Sequence, residues 1–235
     1  MGSEMCIRDS HNPPEYNGFK VYREGGWEVM PDEEVKIEEM LLRDVDALAS
    51  WCDVGTYEDY GLALAEYIED AVEFIVEGDS KPRGEIKAVI DCCNGPASLV
   101  TPYIMSRLGV KVVTVNSHID GTFPGREPEP RPDVLVSLGL YVRSLGADIG
   151  LAHDGDADRV AVLDNNGNFI FNDRIIAYMA KRAIERGEGK IVVTTIDTSR
   201  CIDEVVEGLG GKVIRTKLSL IHISEPTRPL YISYA

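Results

Sequence analysis

The chain has 235 residues, 44% of them apolar, and a formal net charge of −16. Such a composition can bury a sizeable core, which excludes wholesale disorder, and its acidic excess opposes binding to a nucleic-acid backbone, which needs clustered Lys and Arg. No apolar run approaches the roughly 20 residues of a bilayer span, and the start lacks the basic flank and apolar block of a signal peptide.

The cysteines, at 6, 52, 92, 93 and 201, are odd in number and show no paired metal-ligand spacing. Reduced thiols in a soluble, cytoplasmic protein with small-molecule partners, and with neither nucleic acid nor membrane as a partner, are therefore expected.

In chain order, residues 11–18 read as a polar, proline-containing loop, "FKVY" as a short strand and Gly25-Gly26 as a turn. "PDEEVKIEEMLLRDV" has Pro31 at its start and acids in its first turn, which predicts a helix whose acidic run (32–39) is a solvated face. "YEDYGLALAEYIEDAVEFIVE" predicts a second helix, and "GDSKPRGE" (78–85) is the best linker in the chain.

Beyond it the rhythm changes to strand "IKAVID" (86–91), a helix to about 108, strand "KVVTV" (111–115) and the proline-rich "DGTFPGREPEPRP" (120–132). A helix over 133–145, strand "ADIGLAH", a hairpin turning at Asn166-Gly167, helix 173–187, strand "KIVVTTID", helix "SRCIDEVVEGLG" and strand "KVIRT" follow. Strands alternating with helices predict α/β layers built around parallel pairs, with a second boundary near 172.

The two ends share an oddity at the level of DNA. Codons GGC TCG GAG ATG TGT ATA AGA GAC AG encode Gly2 to the first two bases of a Ser10 codon. Their reverse complement reads Leu-Ser-Leu-Ile-His-Ile-Ser-Glu-Pro, which is residues 218–226. The shared segment resembles a sequencing-library adapter, so residues 1–9 and 218–235 are set aside from functional reasoning. The DNA logic leaves open whether Ser10 is native or partly adapter-encoded.

The strongest motif is "HDGDADR" (153–159) between two predicted strands. Asp154, Asp156 and Asp158 alternate, so a curved loop can aim three carboxylates at one point, where they repel one another unless a cation intervenes. A hard divalent ion such as Mg²⁺ takes such oxygen ligands. Arg159 sets a planar donor beside them, suited to a phosphate oxygen. A calcium EF-hand would require Gly at 159 and Glu at 165, where this chain has Arg159 and Asn165.

The second motif is "SHNPPEYNGFK" (10–20). A serine hydroxyl needs a base, cation or metal to act as a nucleophile, and His11 and Lys20 could exchange protons beside it. Taken alone, this stretch reads more simply as a polar proline turn.

Together the motifs resemble the α-D-phosphohexomutase family, whose phosphoserine loop reads T-A-S-H-N-P and whose metal loop reads D-G-D-A-D-R. The metal loop is complete here, whereas Arg8 and Asp9 stand where the family has Thr and Ala. "DGTFPGREPEP" (120–130) and "TTIDTSR" (194–200) also look like family segments.

The resemblance implies phosphohexomutase-like α/β domains with mixed sheets, truncated at both ends. Residues 10–82 would be the end of domain 1, 83–172 domain 2 and 173–217 the start of domain 3. It implies that Ser10 carries the phosphoryl group and, with Asp154, Asp156 and Asp158, binds Mg²⁺. Ser10, His11 and Lys20 are the implied catalytic residues and Arg159 the phosphate contact. The partners it implies are a hexose phosphate substrate and a hexose bisphosphate intermediate.

The family's G-E-x-S-G-H sugar loop and its later phosphate loop do not occur in this sequence, so the chain by itself is not expected to turn over. The spelling "PPEYNGFK" leans toward phosphomannomutase/phosphoglucomutase members. Phosphoglucosamine mutase, or a non-catalytic module binding sugar phosphate or a divalent ion, are the alternatives. Arg126 and Arg131 are read as a solvated loop or substrate contacts, Cys92, Cys93 and Cys201 as packing residues, and His118 as without a role.

Overall fold

The computed structural model describes residues 5–7, 19–23, 25–43, 50–78, 82 and 84–216. Strand β1 (Met5–Ile7) pairs antiparallel with β2 (Phe19–Arg23), and β2 with β3 (Trp27–Glu28). The sequence reading placed the "FKVY" strand where β2 stands, whereas β1 falls within the segment it set aside.

Helix α1 (Pro31–Leu42) begins with proline, whose missing N–H costs nothing in a first turn, and the Glu33 carboxylate accepts the Met30 N–H at 2.8 Å. Asp32, Glu34, Glu38 and Glu39 are exposed, as the solvated-face reading expected. Helix α2 (Ala63–Glu77) follows and lies against the later helix α3 (Ala97–Arg107), to which an exposed Arg107–Glu69 ion pair ties it.

The best-packed part is a five-stranded mixed sheet of order β5-β4-β6-β7-β8. Strand β4 (Lys87–Asp91), flanked on both sides, buries Ala88, Val89 and Ile90 and pairs in parallel with β5 (Lys111–Val115) and β6 (Ile149–His153). A strand parallel to both neighbours is covered on both faces, and its apolar run reflects that position. Strands β7 (Val160–Leu163) and β8 (Phe169–Ile170) extend the sheet antiparallel, so only the part before 154 is parallel.

Helices α3 (Ala97–Arg107) and α4 (Val136–Leu145) complete the α/β layers. One core gathers Val89, Leu138, Val142, Ala152 and Leu163, and a second gathers Ala88, Ile90, Cys92, Ala97 and Val110. Helix α4 starts at 136 rather than 133 because Val134 and Leu135 N–H both turn back to the Arg131 carbonyl. It ends at Gly146, which takes the left-handed conformation (φ 58°) that glycine adopts cheaply.

Two glycines bring α4 unusually close to the hairpin turn. A Cβ on Gly139 would meet the Gly167 carbonyl oxygen at 2.6 Å, and one on Gly167 would meet the Gly139 Cα at 2.8 Å. Gly167 is also at φ 74°, and Arg143 donates to the Asn166 carbonyl at 3.0 Å. The predicted hairpin is thus present, but its turn centres on Asn165-Asn166, closed by the Gly167 N–H on the Asp164 carbonyl at 2.8 Å, with Gly167 as the left-handed residue after it, pressed backbone to backbone against a helix.

The last unit comprises α5 (Asn172–Glu185), β9 (Ile191–Thr195), α6 (Cys201–Gly208) and β10 (Lys212–Thr216). The two strands pair in parallel, and Ala177, Ala180, Val192, Ile202 and Val206 form its core. Among the described residues no helix is long and apolar enough to cross a membrane.

Candidate metal centre

Strands β6 and β7 are neighbours whose last register pair is His153–Val160, so residues 154–159 form the loop that joins them at the C-terminal end of β6. That edge of a parallel sheet is where α/β proteins bind ligands. The loop closes on itself: Asp154 N–H donates to the Arg159 carbonyl at 3.4 Å, and Arg159 N–H to Asp154 Oδ1 at 3.0 Å. Asp158 N–H donates to Asp156 Oδ1 at 3.3 Å, and Ala157 turns the chain at φ 69°.

The result converges three carboxylates. One oxygen each from Asp154, Asp156 and Asp158 lie within 4.8 Å of one another, with Asp154 buried, Asp156 half-buried and Asp158 exposed. Oxygens on a Mg²⁺ ion at about 2.1 Å sit roughly 3 Å apart when adjacent and about 4.2 Å when opposite. A small inward movement therefore suffices, and an all-carboxylate donor set is the chemistry a hard divalent cation takes. The residues fit the ion. Arg159 holds its guanidinium at the exposed rim, Nε 4.0 Å from Asp158 Oδ1, where a phosphate oxygen could reach it.

The loop is braced from beneath. The His153 imidazole bridges it to α3, with Nε2 3.1 Å from Thr101 Oγ1 and Nδ1 3.2 Å from the Arg159 carbonyl. Burial pushes the His153 pKa below its ordinary value, so the neutral ring donates from Nδ1 and accepts from the threonine hydroxyl. Gly95, in the turn after β4, lies so close that a Cβ there would strike the Gly155 carbonyl oxygen.

Arg126 corrects the expectation of a solvated or substrate-facing loop residue. Its side chain is 6% exposed and pairs through Nε with Asp91 Oδ2 at 2.8 Å. Nη2 donates to the His153 carbonyl, and Nη1 to the carbonyls of Glu127 (2.9 Å) and Pro128 (3.2 Å). Asp91 Oδ1 accepts from Cys93 N–H (2.9 Å) and Asn116 Nδ2 (3.1 Å). Arg131, five residues on, is exposed among Glu127, Glu129 and Asp133.

His118, read from the sequence as without a role in the chemistry, has a structural place. Its carbonyl accepts from Asn94 Nδ2 at 3.0 Å, while Asn94 Oδ1 accepts the Gly125 N–H at 3.0 Å, fastening the proline-rich loop to the end of β4. Cys92 and Cys93 are buried, and desolvation together with the Asp91 charge pushes the Cys92 thiol up to about 11, which suits packing and not nucleophilic attack.

Ser10 and His11 lie outside the described residues, as does the tail from 217. Lys20 is in β2, its backbone in register with Cys6. Of the expected site residues, the structure thus brings together Asp154, Asp156, Asp158 and Arg159. Asp91, Asn94, Thr101 and His153 were given no role and Arg126 a different one; the one usable signal was an acid, Asp91, ending the apolar run Ala88–Ile90.

Residues 65–167 match phosphoglucomutase/phosphomannomutase, alpha/beta/alpha domain II, residues 2–46 match domain I and residues 171–225 match domain III. The chain belongs to the α-D-phosphohexomutase family. The domain II match takes in most of α2 together with strands β4 to β7 of the sheet. A family relative from Methanopyrus kandleri, named probable phosphoglucosamine mutase, is 41% identical over 226 residues, covering 95% of this chain and 48% of its own. A phosphopentomutase of Thermococcus kodakarensis is 40% identical over 93% of this chain and 47% of its own.

Among solved structures, a phosphoglucomutase/phosphomannomutase family protein from Burkholderia thailandensis superposes with a TM-score of 0.79 at 29% identity. That match covers 94% of this chain and 46% of the other. The chain spans about half the length of these relatives.

Proposed function

We propose that this chain contributes the phosphoserine loop and the metal loop of a Mg²⁺-dependent phosphohexomutase, which interconverts hexose 1- and 6-phosphates through a hexose bisphosphate. The observation that carries this reading is the convergence of the Asp154, Asp156 and Asp158 oxygens within 4.8 Å, beside Arg159, at the C-terminal end of strand β6. These carboxylates, with an oxygen of phosphorylated Ser10, would hold the ion, which when bound neutralises charge on the transferring group.

The chain's own residues then divide the work. The P–Oγ bond of phosphoserine 10 breaks as a sugar hydroxyl oxygen bonds to phosphorus, and Ser10 takes up a proton in place of the phosphoryl group. His11 and Lys20 are the groups that accept and return the protons. Arg159 holds a non-transferring phosphate oxygen. After the bisphosphate reverses, the same steps run backward onto its other phosphoryl group.

The substrate class is a hexose phosphate. Several relatives bear the name phosphoglucosamine mutase, which supports that activity as a second reading beside phosphomannomutase/phosphoglucomutase. The test is a coupled mutase assay, primed with a catalytic amount of hexose bisphosphate, on the full product of the gene that carries this sequence. Ser10→Ala should abolish turnover and leave Mg²⁺ binding largely intact, whereas Asp156→Ala should lose both. Equal calorimetric heats of Mg²⁺ binding in wild type and Asp156→Ala would remove the metal role.

A further inference from the structure

Arg126 is remote in sequence from every residue so far given a role in the reaction, yet it grips the metal loop at its entry. The His153 carbonyl that it bonds belongs to the peptide plane whose other end is the Asp154 N–H. Fixing that plane fixes where the buried ligand Asp154 leaves β6. The guanidinium is itself fixed, because Asp91, 5% exposed at the end of neighbouring β4, takes its Nε, and two carbonyls of the proline-rich loop take Nη1. All three of its nitrogens are thus committed, and its burial leaves it no path to a substrate.

We propose that Arg126, anchored by Asp91, is a positioning residue for the metal loop: it sets the Asp154 carboxylate for divalent-ion binding without touching the ion. The inference rests on the metal reading above. A lysine would keep the charge and the pairing with Asp91, but a single ammonium nitrogen lacks the planar fork that spans the Asp91 carboxylate and the His153 carbonyl together. Groups that orient metal ligands without touching the ion typically cost 10–100-fold in metal affinity when changed.

The test is calorimetric titration of the full chain with Mg²⁺ and with Mn²⁺ for wild type, Arg126→Lys, Arg126→Met and Asp91→Asn, each first checked for native circular dichroism. Arg131→Met, an exposed arginine of the same loop, is the control. Folded Arg126→Lys and Arg126→Met should bind about 10–100-fold more weakly, Asp91→Asn should weaken in the same direction, and Arg131→Met should match wild type. Wild-type affinity in folded Arg126→Lys would overturn the inference, as would failure of all three clasp variants to fold, which would mark the clasp as structural only. A wild-type chain that binds neither ion would overturn the metal reading and this inference with it.

Discussion

Helices α2 and α4 carry similar apolar patterns and meet opposite fates. Helix α4 lies on β4 and β6 and buries Leu138, Gly139 and Val142, whereas α2 buries no residue and leaves Tyr67 and Phe74 60% and 79% exposed. Periodicity specifies a helix and a face; burial depends on whether a sheet lies opposite that face. The sheet around β4 therefore holds the two cores packed between α3 and α4, and the metal loop hangs from it.

The sharpest way to break that contrast is to empty the core under α4. Leu138→Ala, at a site 2% exposed, should cost about 2–5 kcal/mol, read as a fall in the denaturant midpoint. A cost below 1 kcal/mol would mean that this core collapses to fill the gap.

Next in size is Gly95→Ala. The new methyl would meet the Gly155 carbonyl, so the metal loop or the turn after β4 must shift, at about 1–3 kcal/mol. Weaker Mg²⁺ binding should accompany the loss, and unaltered calorimetric affinity would show that the loop does not depend on this contact.

A third prediction concerns the unit that follows the sheet. Arg215 grips Asp203 with two bonds (2.6 and 2.7 Å), and that pairing holds the Asp203 carboxyl below its usual range. A lowered carboxyl pKa stabilises the fold above the unfolded value, about 3.9, and its contribution disappears as pH falls through the folded value. Asp203→Asn should therefore be less stable than wild type at pH 7 and converge with it in acid. Parallel melting curves at all pH values would exclude the pairing as a source of stability.

The smallest effect is expected on α2. Phe74→Ala should change stability by no more than about 0.5 kcal/mol in this chain, and a loss of several times that, seen by chemical denaturation, would show that α2 is covered in solution.

These differences trace what a sequence can and cannot reveal. The alternating acids at 154, 156 and 158 were legible because a loop between two strands needs only local spacing to converge them. The hairpin was legible for the same reason, although its turn sits one residue earlier, on Asn165-Asn166, because Gly167 takes the left-handed position after the turn. Arg126 was not, since its partners Asp91 and His153 lie 35 and 27 residues away and nothing local separates it from Arg131. The start of α4 lies three residues later than expected because Pro132 and Asp133 spell a helix start but form a turn onto the Arg131 carbonyl instead. Burial of α4 but not α2 is a property of topology, which the periodicity of either helix does not contain.

The glycine contact between α4 and the hairpin turn bears on where this chain can be engineered. An exposed two-residue turn is normally the first choice for inserting an epitope or attaching a fluorophore. Here Gly139 and Gly167 touch through their backbones, so lengthening the turn would lever the helix off the sheet that carries the metal loop. The loop at 186–189, where Gly187 and Gly189 have open space around them, is the better port for a tag.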